Sequence, residues 1–231
     1  MIKKRHWSWF AQQNWNDIFF MHFPVPKKAL LKIVPSVFQL ETYWKSAWIS
    51  VVFFKATNSR FRNMPYKLGY PEFYQLNVRT YVTYGKERGV YFFSLYTNSI
   101  PTVLAGKIGL MPFKYSKIYS SNSQFQFIHK RKSMSIHFEK TNEDIEVKPS
   151  TLPYLLTERY TGWIKKGNQI VKVPILHSKW QLKKANANFH DEHLLHFLPG
   201  LPALPEPLVY FSPFKHTKLF PYEWKRRYDE E

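Results

Sequence analysis

The stretch PEFYQLNVRTYVTYGKERGVYFFSLYT, residues 71–97, decides the fold. Two runs rich in aromatic and β-branched residues, Tyr74 to Tyr84 and Val90 to Tyr96, flank Gly85-Lys86-Glu87-Arg88-Gly89, a short polar segment with glycine at each end. That pattern predicts a long β-hairpin. Alternation along the first arm puts Leu76, Val78, Thr80 and Val82 on one face, and Asn77, Arg79, Tyr81 and Thr83 on the other. The first set asks for a core. The second places a guanidinium in mid-strand between an amide and a phenol. Burying that charge alone is too costly, so it either faces water or sits in a cavity beside something anionic.

Strands dominate on both sides of this hairpin. Asn14 to Val25 reads as an aromatic strand, with Trp15, Asp17, Phe19, Met21 and Phe23 on one face and Asn16, Ile18, Phe20 and His22 on the other. Apolar residues on both faces predict a strand covered on both sides. Pro26 opens a short helix over Lys27 to Val34, and Pro35 closes it. Phe38 to Thr42 and Ala47 to Phe54 form a second hairpin, and polar Lys55 to Tyr70 reads as a capping loop. Pro101 to Leu110 has helical spacing. Lys114 to Tyr119 and Gln124 to Lys130 read as paired strands, followed by Ser133 to Lys140. Pro153 interrupts a short helical turn, and Trp163 to Val173 is a third hairpin. Trp180 to Phe189 is a strand, His190 to Leu198 helical, Pro199 to Pro207 an extended connector and Leu208 to Ser212 a last strand. No repeat or linker divides the chain, so the expectation is one domain over residues 1–231, mostly β with a few short peripheral helices, closed or nearly closed into a barrel.

Composition narrows the function. The 231 residues hold 44% hydrophobic and 19% aromatic residues, enough to fill a substantial core. With no cysteine, disulfides, thiolate metal sites and cysteine nucleophiles are excluded. No apolar run reaches the length of a membrane span, and the basic start lacks a signal-peptide core, so a cytoplasmic protein is expected. The formal net charge is +18, which favours anionic partners. The basic residues are spread along the chain, with no zinc finger, basic zipper or RNP signature. Nucleic acid is therefore disfavoured against a small anionic molecule. Glycine-rich phosphate loops and a Gly-x-Ser-x-Gly elbow are absent, and no cofactor is implied.

The segments NWNDIFFMHFPVPKKALLKIVP (14–35), SAWISVVFF (46–54), FYQLNVRTYVTYGKERGVYFFSL (73–95), LTERY (156–160) and PLVYFS (207–212) resemble the DUF2071 family. The resemblance runs from about Trp7 to Trp224. It implies the acetoacetate decarboxylase-like superfamily and a β-barrel or cone with a central cavity. In the decarboxylases a Pro-Lys-Lys step supplies a Schiff-base lysine and a second lysine that depresses its pKa. Here the matching residues are Pro112, Phe113 and Lys114. Phenylalanine cannot form an imine, so the covalent chemistry does not carry over. Strand alternation turns Lys114 away from Phe113.

Arg79 is the first candidate ligand-binding residue, a clamp for a carboxylate or phosphate, with a structural ion pair to Glu158 or Glu72 as the alternative. Asn77 and Tyr81 share its face. Glu158 and Arg159 stand at a helix-to-strand transition as a site acid or a structural bridge. His22 is either a hydrogen-bonded core residue or part of the site. Lys114 and Glu158 are the catalytic candidates. His190, His193 and His196 have helical spacing with Asp191 and Glu192 beside them but lack the His-Glu-x-x-His order, so no metal site is assigned. The expected role is binding, with or without transformation, of a small anionic or carbonyl-bearing molecule in the barrel cavity. The alternatives are a cofactor-free lyase or hydratase-like enzyme using Lys114 or Glu158, and a basic protein that binds a polyanion. A homo-oligomer is compatible with either.

Overall fold

The computed structural model describes residues 8–63, 70–108, 111–121, 123–192 and 205–227. The elements run β1 (Ala11–Val25), α1 (Lys27–Leu31), β2 (Gln39–Leu40), β3 (Ala47–Phe61), β4 (Phe73–Tyr84), β5 (Glu87–Thr97), α2 (Ile100–Ile108), β6 (Phe113–Tyr115) and β7 (Lys117–Ser120). They continue β8 (Gln124–His129), β9 (Lys132–Ile145), α3 (Leu152–Thr157), β10 (Thr161–Lys166), β11 (Gln169–His177), β12 (Leu182–Glu192), β13 (Leu208–Leu219) and β14 (Glu223–Arg227). The fold is mostly β, as expected.

The hairpin forms, with a tighter turn than the sequence suggests. Tyr84 pairs with Glu87, so only Gly85 and Lys86 make the turn, and Gly85 takes a positive φ of 61°. The pairings β11-β10-β5-β4-β3-β1-β13 run in sequence, and β13 pairs back to β11, so seven strands form a ring of neighbours. From β13 the sheet continues through β12, β9 and β8 to β7, a wing that folds over the outside of the ring.

Stacked aromatics join wing to ring. Phe19 lies 3.9 Å from Phe138 and Phe53 lies 3.9 Å from Phe125, centroid to centroid. The outward face of β1, β3 and β4 thus packs in one core with Phe127, Met134 and Ile136 of the wing. Each such ring buried contributes about 1.5–3 kcal/mol. The inward face feeds two further clusters, one around Tyr81, Phe92 and Leu95, the other around Phe20, Phe54 and Trp180.

Several boundaries differ from expectation. Lys55 to Phe61 is not loop: it extends β3, because the polar start of β1 supplies a partner, with Ala11 opposite Phe61 and Gln12 opposite Arg60. Pro153 does not interrupt a helix but sits in the first turn of α3, where its missing N–H costs nothing. The stretch expected as Lys114 to Tyr119 splits into β6, parallel to β5, and β7, antiparallel to β8. His190 belongs to β12 rather than to a helix, since Phe189 and Asp191 stay paired with Ile136 and Ser135. His193 and His196 lie outside the described residues. The last strand runs on to Leu219, and β14 follows it.

The face assignment along β1 also needs correction. A bulge against β3 falls between Asn16 and Phe19, where Asp17 adopts a φ of 48°. It switches the parity, so Trp15 joins Phe20 on the inner side and not Phe19.

The parallel seam between β5 and β10 is short, with Gly162 opposite Val90 and Trp163 opposite Tyr91. Close approach there depends on Gly89, where an added Cβ would lie 2.6 Å from both the Thr161 carbonyl oxygen and Trp163 Nε1. A backbone oxygen has little room to yield. Gly89→Ala should lower stability by about 1–3 kcal/mol in urea unfolding. Gly85→Ala, whose Cβ meets nothing within 4 Å, should show only the cost of its positive φ, about 1 kcal/mol. Equal effects from the two variants would contradict this account of the seam.

Candidate functional site

Register places the key side chains. His22 of β1 pairs with Ser50 of β3, and Ser50 pairs with Arg79 of β4. Directly opposed residues share a face, so the three form a row. The next row along is Phe20, Val52 and Asn77. Both rows face the inside of the ring, onto a chamber of about 110 Å³ to which all seven ring strands contribute.

Arg79 lies deep in the molecule, and the part of it left uncovered meets the chamber. Its Nε has no hydrogen-bond partner. Among the described residues no carboxylate pairs with it: Glu72 is taken by Lys55, and Glu158 by other groups. Its Cζ sits 5.9 Å from the Phe20 ring centroid, a weak cation–π contact. Burial pulls its pKa down from the usual value; Tyr81 opposes this and Arg159 adds to it. A guanidinium nonetheless stays charged in a protein. Asn77 shares the chamber wall, and its Oδ1 also lacks a partner.

Tyr81 and His22 have no exposed surface and lie behind Arg79, with the phenol oxygen 2.9 Å from His22 Nδ1. Burial, reinforced by the charge of Arg79, holds the His22 pKa well below its ordinary value, so the ring is neutral. Burial pushes the Tyr81 phenol up, so it keeps its proton. This pair fixes the wall beside Arg79; neither residue lines the chamber itself.

Arg159 is the second guanidinium of the chamber wall, and it is paired. Its Nη1 and Nη2 donate to Glu41 at 3.2 and 2.8 Å, and its Nε donates to the Leu155 carbonyl at 2.9 Å. Arg88 grips the same carboxylate from the hairpin at 3.2 and 3.1 Å, Thr83 donates to it at 2.8 Å, and Tyr43 also donates to it. Burial alone would raise the Glu41 pKa, but the bonds from Arg88 and Arg159 outweigh it and hold the carboxyl below the usual range. Glu41 was not singled out from the sequence. The signal that could have found it is scarcity: with 16 acidic residues against 34 basic, each carboxylate is a candidate partner for a buried cation.

Other candidates fall elsewhere. Glu158 accepts from the Trp180 backbone N–H at 2.7 Å and from the Tyr160 hydroxyl, and is not part of the chamber lining. Phe113 lines the chamber, whereas Lys114, next along β6, is exposed, 3.4 Å from Ser94 Oγ and 5.6 Å from the Tyr96 ring. His177 and Trp180 line the chamber without having been singled out. Lys215 packs 4.9 Å from the Trp180 ring and donates to the Lys179 carbonyl at 2.7 Å. A second hollow of about 660 Å³ adjoins the chamber and shares Gln13, Thr102, Met111, Phe113, Leu219 and Tyr222 with it. No cluster of metal-binding side chains occurs among the described residues.

The Glu41 cluster makes a pH prediction. A folded pKa below the unfolded value, about 4.3, gives a contribution that is full above that value and is lost as pH falls through the folded pKa. Glu41→Gln should therefore cost on the order of 3 kcal/mol at neutral pH, because Arg159 loses its counter-charge. The gap between wild type and variant in urea midpoint should close as pH drops below the carboxylate range. A gap that stays constant down to acid pH would refute the ionic role of Glu41.

Comparison with known proteins agrees with this architecture. The model of the DUF2071 family, described as an uncharacterized conserved protein, matches residues 12–215. "Uncharacterized protein YqjF" of Bacillus subtilis (strain 168) is 35% identical over 187 residues, covering 78% of this chain and 77% of its own length. Among solved structures, acetoacetate decarboxylase from Legionella pneumophila subsp. pneumophila str. Philadelphia 1 superposes with a TM-score of 0.68 at 12% identity, over 99% of this chain and 93% of that one. The enduracididine biosynthesis enzyme MppR complexed with pyruvate gives a TM-score of 0.65 at 9% identity, over 98% of this chain and 95% of that one. At such identities the likeness is one of fold alone. With the family model spanning most of its length, this chain belongs to the DUF2071 family, on an acetoacetate decarboxylase-like fold.

Proposed function

We propose that this is a cytoplasmic protein whose inner chamber binds a small carboxylate, with a carbonyl-bearing acid as the favoured type, and that Arg79 holds the carboxylate. The observation that carries this reading is the Arg79 guanidinium inside the ring with an unpartnered Nε and no carboxylate beside it among the described residues. A cation in that position lacks its counter-charge, and a bidentate carboxylate supplies both the charge and the matching geometry. The neighbouring Arg159 does not compete, because Glu41 already occupies it. Aromatic walls from Phe20, Phe92 and Trp180 keep water scarce, which strengthens the pair. Asn77 offers an amide to a second oxygen of the ligand.

Size favours a small head group. About 110 Å³ is the room of a few water molecules at roughly 30 Å³ each, well below the few hundred Å³ of a drug-sized site. The pyruvate complex of MppR, a protein of the same fold, supports the class of ligand. Imine chemistry is not part of the proposal. Phe113 stands where the resemblance puts the nucleophile, and Lys114 is turned outward.

Thermal-shift and calorimetric titration with pyruvate and other small carboxylates tests the reading. Stabilisation is expected in wild type, and Arg79→Ala should weaken binding about 30-fold or more, the weight of roughly 2 kcal/mol for a charge-assisted pair. Ligand shifts that survive Arg79→Ala intact would end the proposal. Borohydride reduction in the presence of pyruvate should leave the protein mass unchanged. A trapped adduct, on Lys114 or on Lys215 behind Trp180, would overturn the exclusion of imine chemistry.

A further inference from the structure

The chamber does not stand alone. Six of its lining residues, Gln13, Thr102, Met111, Phe113, Leu219 and Tyr222, also line the larger hollow of about 660 Å³ between the start of β1, the end of β3 and α2. Phe113 and Met111 border both spaces and form part of the wall they share. The outer wall is apolar and incompletely covered: Leu104 is 54% exposed and Phe61 is 41% exposed. The charge at its margin is engaged, since Arg60 lies against Gln12 and 5.6 Å from the Trp9 ring. A lysine at 113 would interrupt this apolar path with an amine, whereas phenylalanine continues it.

We infer that the ligand is an amphiphilic acid, whose carboxylate meets Arg79 in the chamber and whose apolar chain runs past Phe113 into the outer hollow. This rests on the reading of Arg79 given above. Two features select this occupant. The hollow adjoins, across a shared wall, a site that demands a negative charge. The chamber, at about 110 Å³, is too small for more than the head of such a molecule, while the outer space is six times larger (660 against 110 Å³) and has apolar walls. A small hydrophilic acid would leave that wall facing water, where a contiguous apolar surface marks a binding groove.

The experiment is a chain-length series measured by calorimetry on the full chain, using straight-chain α-keto acids from pyruvate to α-ketodecanoate below their aggregation concentrations. Affinity should rise about fourfold per added methylene until the hollow is filled, the gain expected for burying each one. Leu104→Glu, at an exposed helix position, should flatten the series while leaving pyruvate affinity within about twofold. Phe61→Ser, also partly exposed, gives the same readout should the first variant disturb α2. Arg79→Ala should weaken every member alike. A flat series with pyruvate binding still dependent on Arg79 would overturn the chain inference and spare the carboxylate reading. A rising series untouched by both hollow variants would place the chain elsewhere and overturn the inference. A rising series untouched by Arg79→Ala would overturn both.

Discussion

A guanidinium enclosed by strands, with no carboxylate to meet it among the described residues, constrains everything around it. Two arginines face the same small space. Arg159 is fully committed, through Glu41 and the end of α3. Arg79 is not, and the repulsion between them depresses its proton affinity further. Burial of a lone charge is tolerable only where solvent or a ligand can reach it, so the chamber is a physical requirement of Arg79 as much as a site it serves. The polar groups gathered beside it, Asn77 in the wall and the His22–Tyr81 pair behind, follow from the same requirement.

Much of this was legible in the sequence because it is local. Period-two alternation in β4 was enough to group Asn77, Arg79 and Tyr81, and a glycine-flanked polar turn was enough to mark the hairpin. What was not legible is what depends on distant pairing. The polar run from Lys55 to Phe61 looks like loop until the equally polar start of β1 is laid beside it. Glu41 and Arg159 stand 118 residues apart, and nothing near either names the other. Glu158 and Lys114 have the right chemistry for a site, but their placement depends on backbone geometry at the end of α3 and on the short β6. Even in β1, where alternation is clean, one bulge residue defeated the face assignment for Trp15.

A shared fold does not by itself carry a shared chemistry. The backbone superposes on that of a decarboxylase over nearly the whole chain, at an identity that speaks for the fold alone. At the start of the short parallel strand β6 this chain carries the benzyl group of Phe113, which lines the chamber and offers no amine. A backbone that holds a hollow open is thus free to exchange its chemistry one residue at a time.

The bulge at Asp17 has a consequence for how the sequence can change. Up to it, odd-numbered residues of β1 point inward; beyond it, even-numbered ones do, and β13 follows the same switch, with Leu219 inside at one end and Tyr210 at the other. Removing a single amino acid there would turn one half of β1 inside out and break its register with β13, exchanging an indole from the chamber for residues built to face water. Spacing at this point therefore constrains the chamber more tightly than the identity of the bulge residue does.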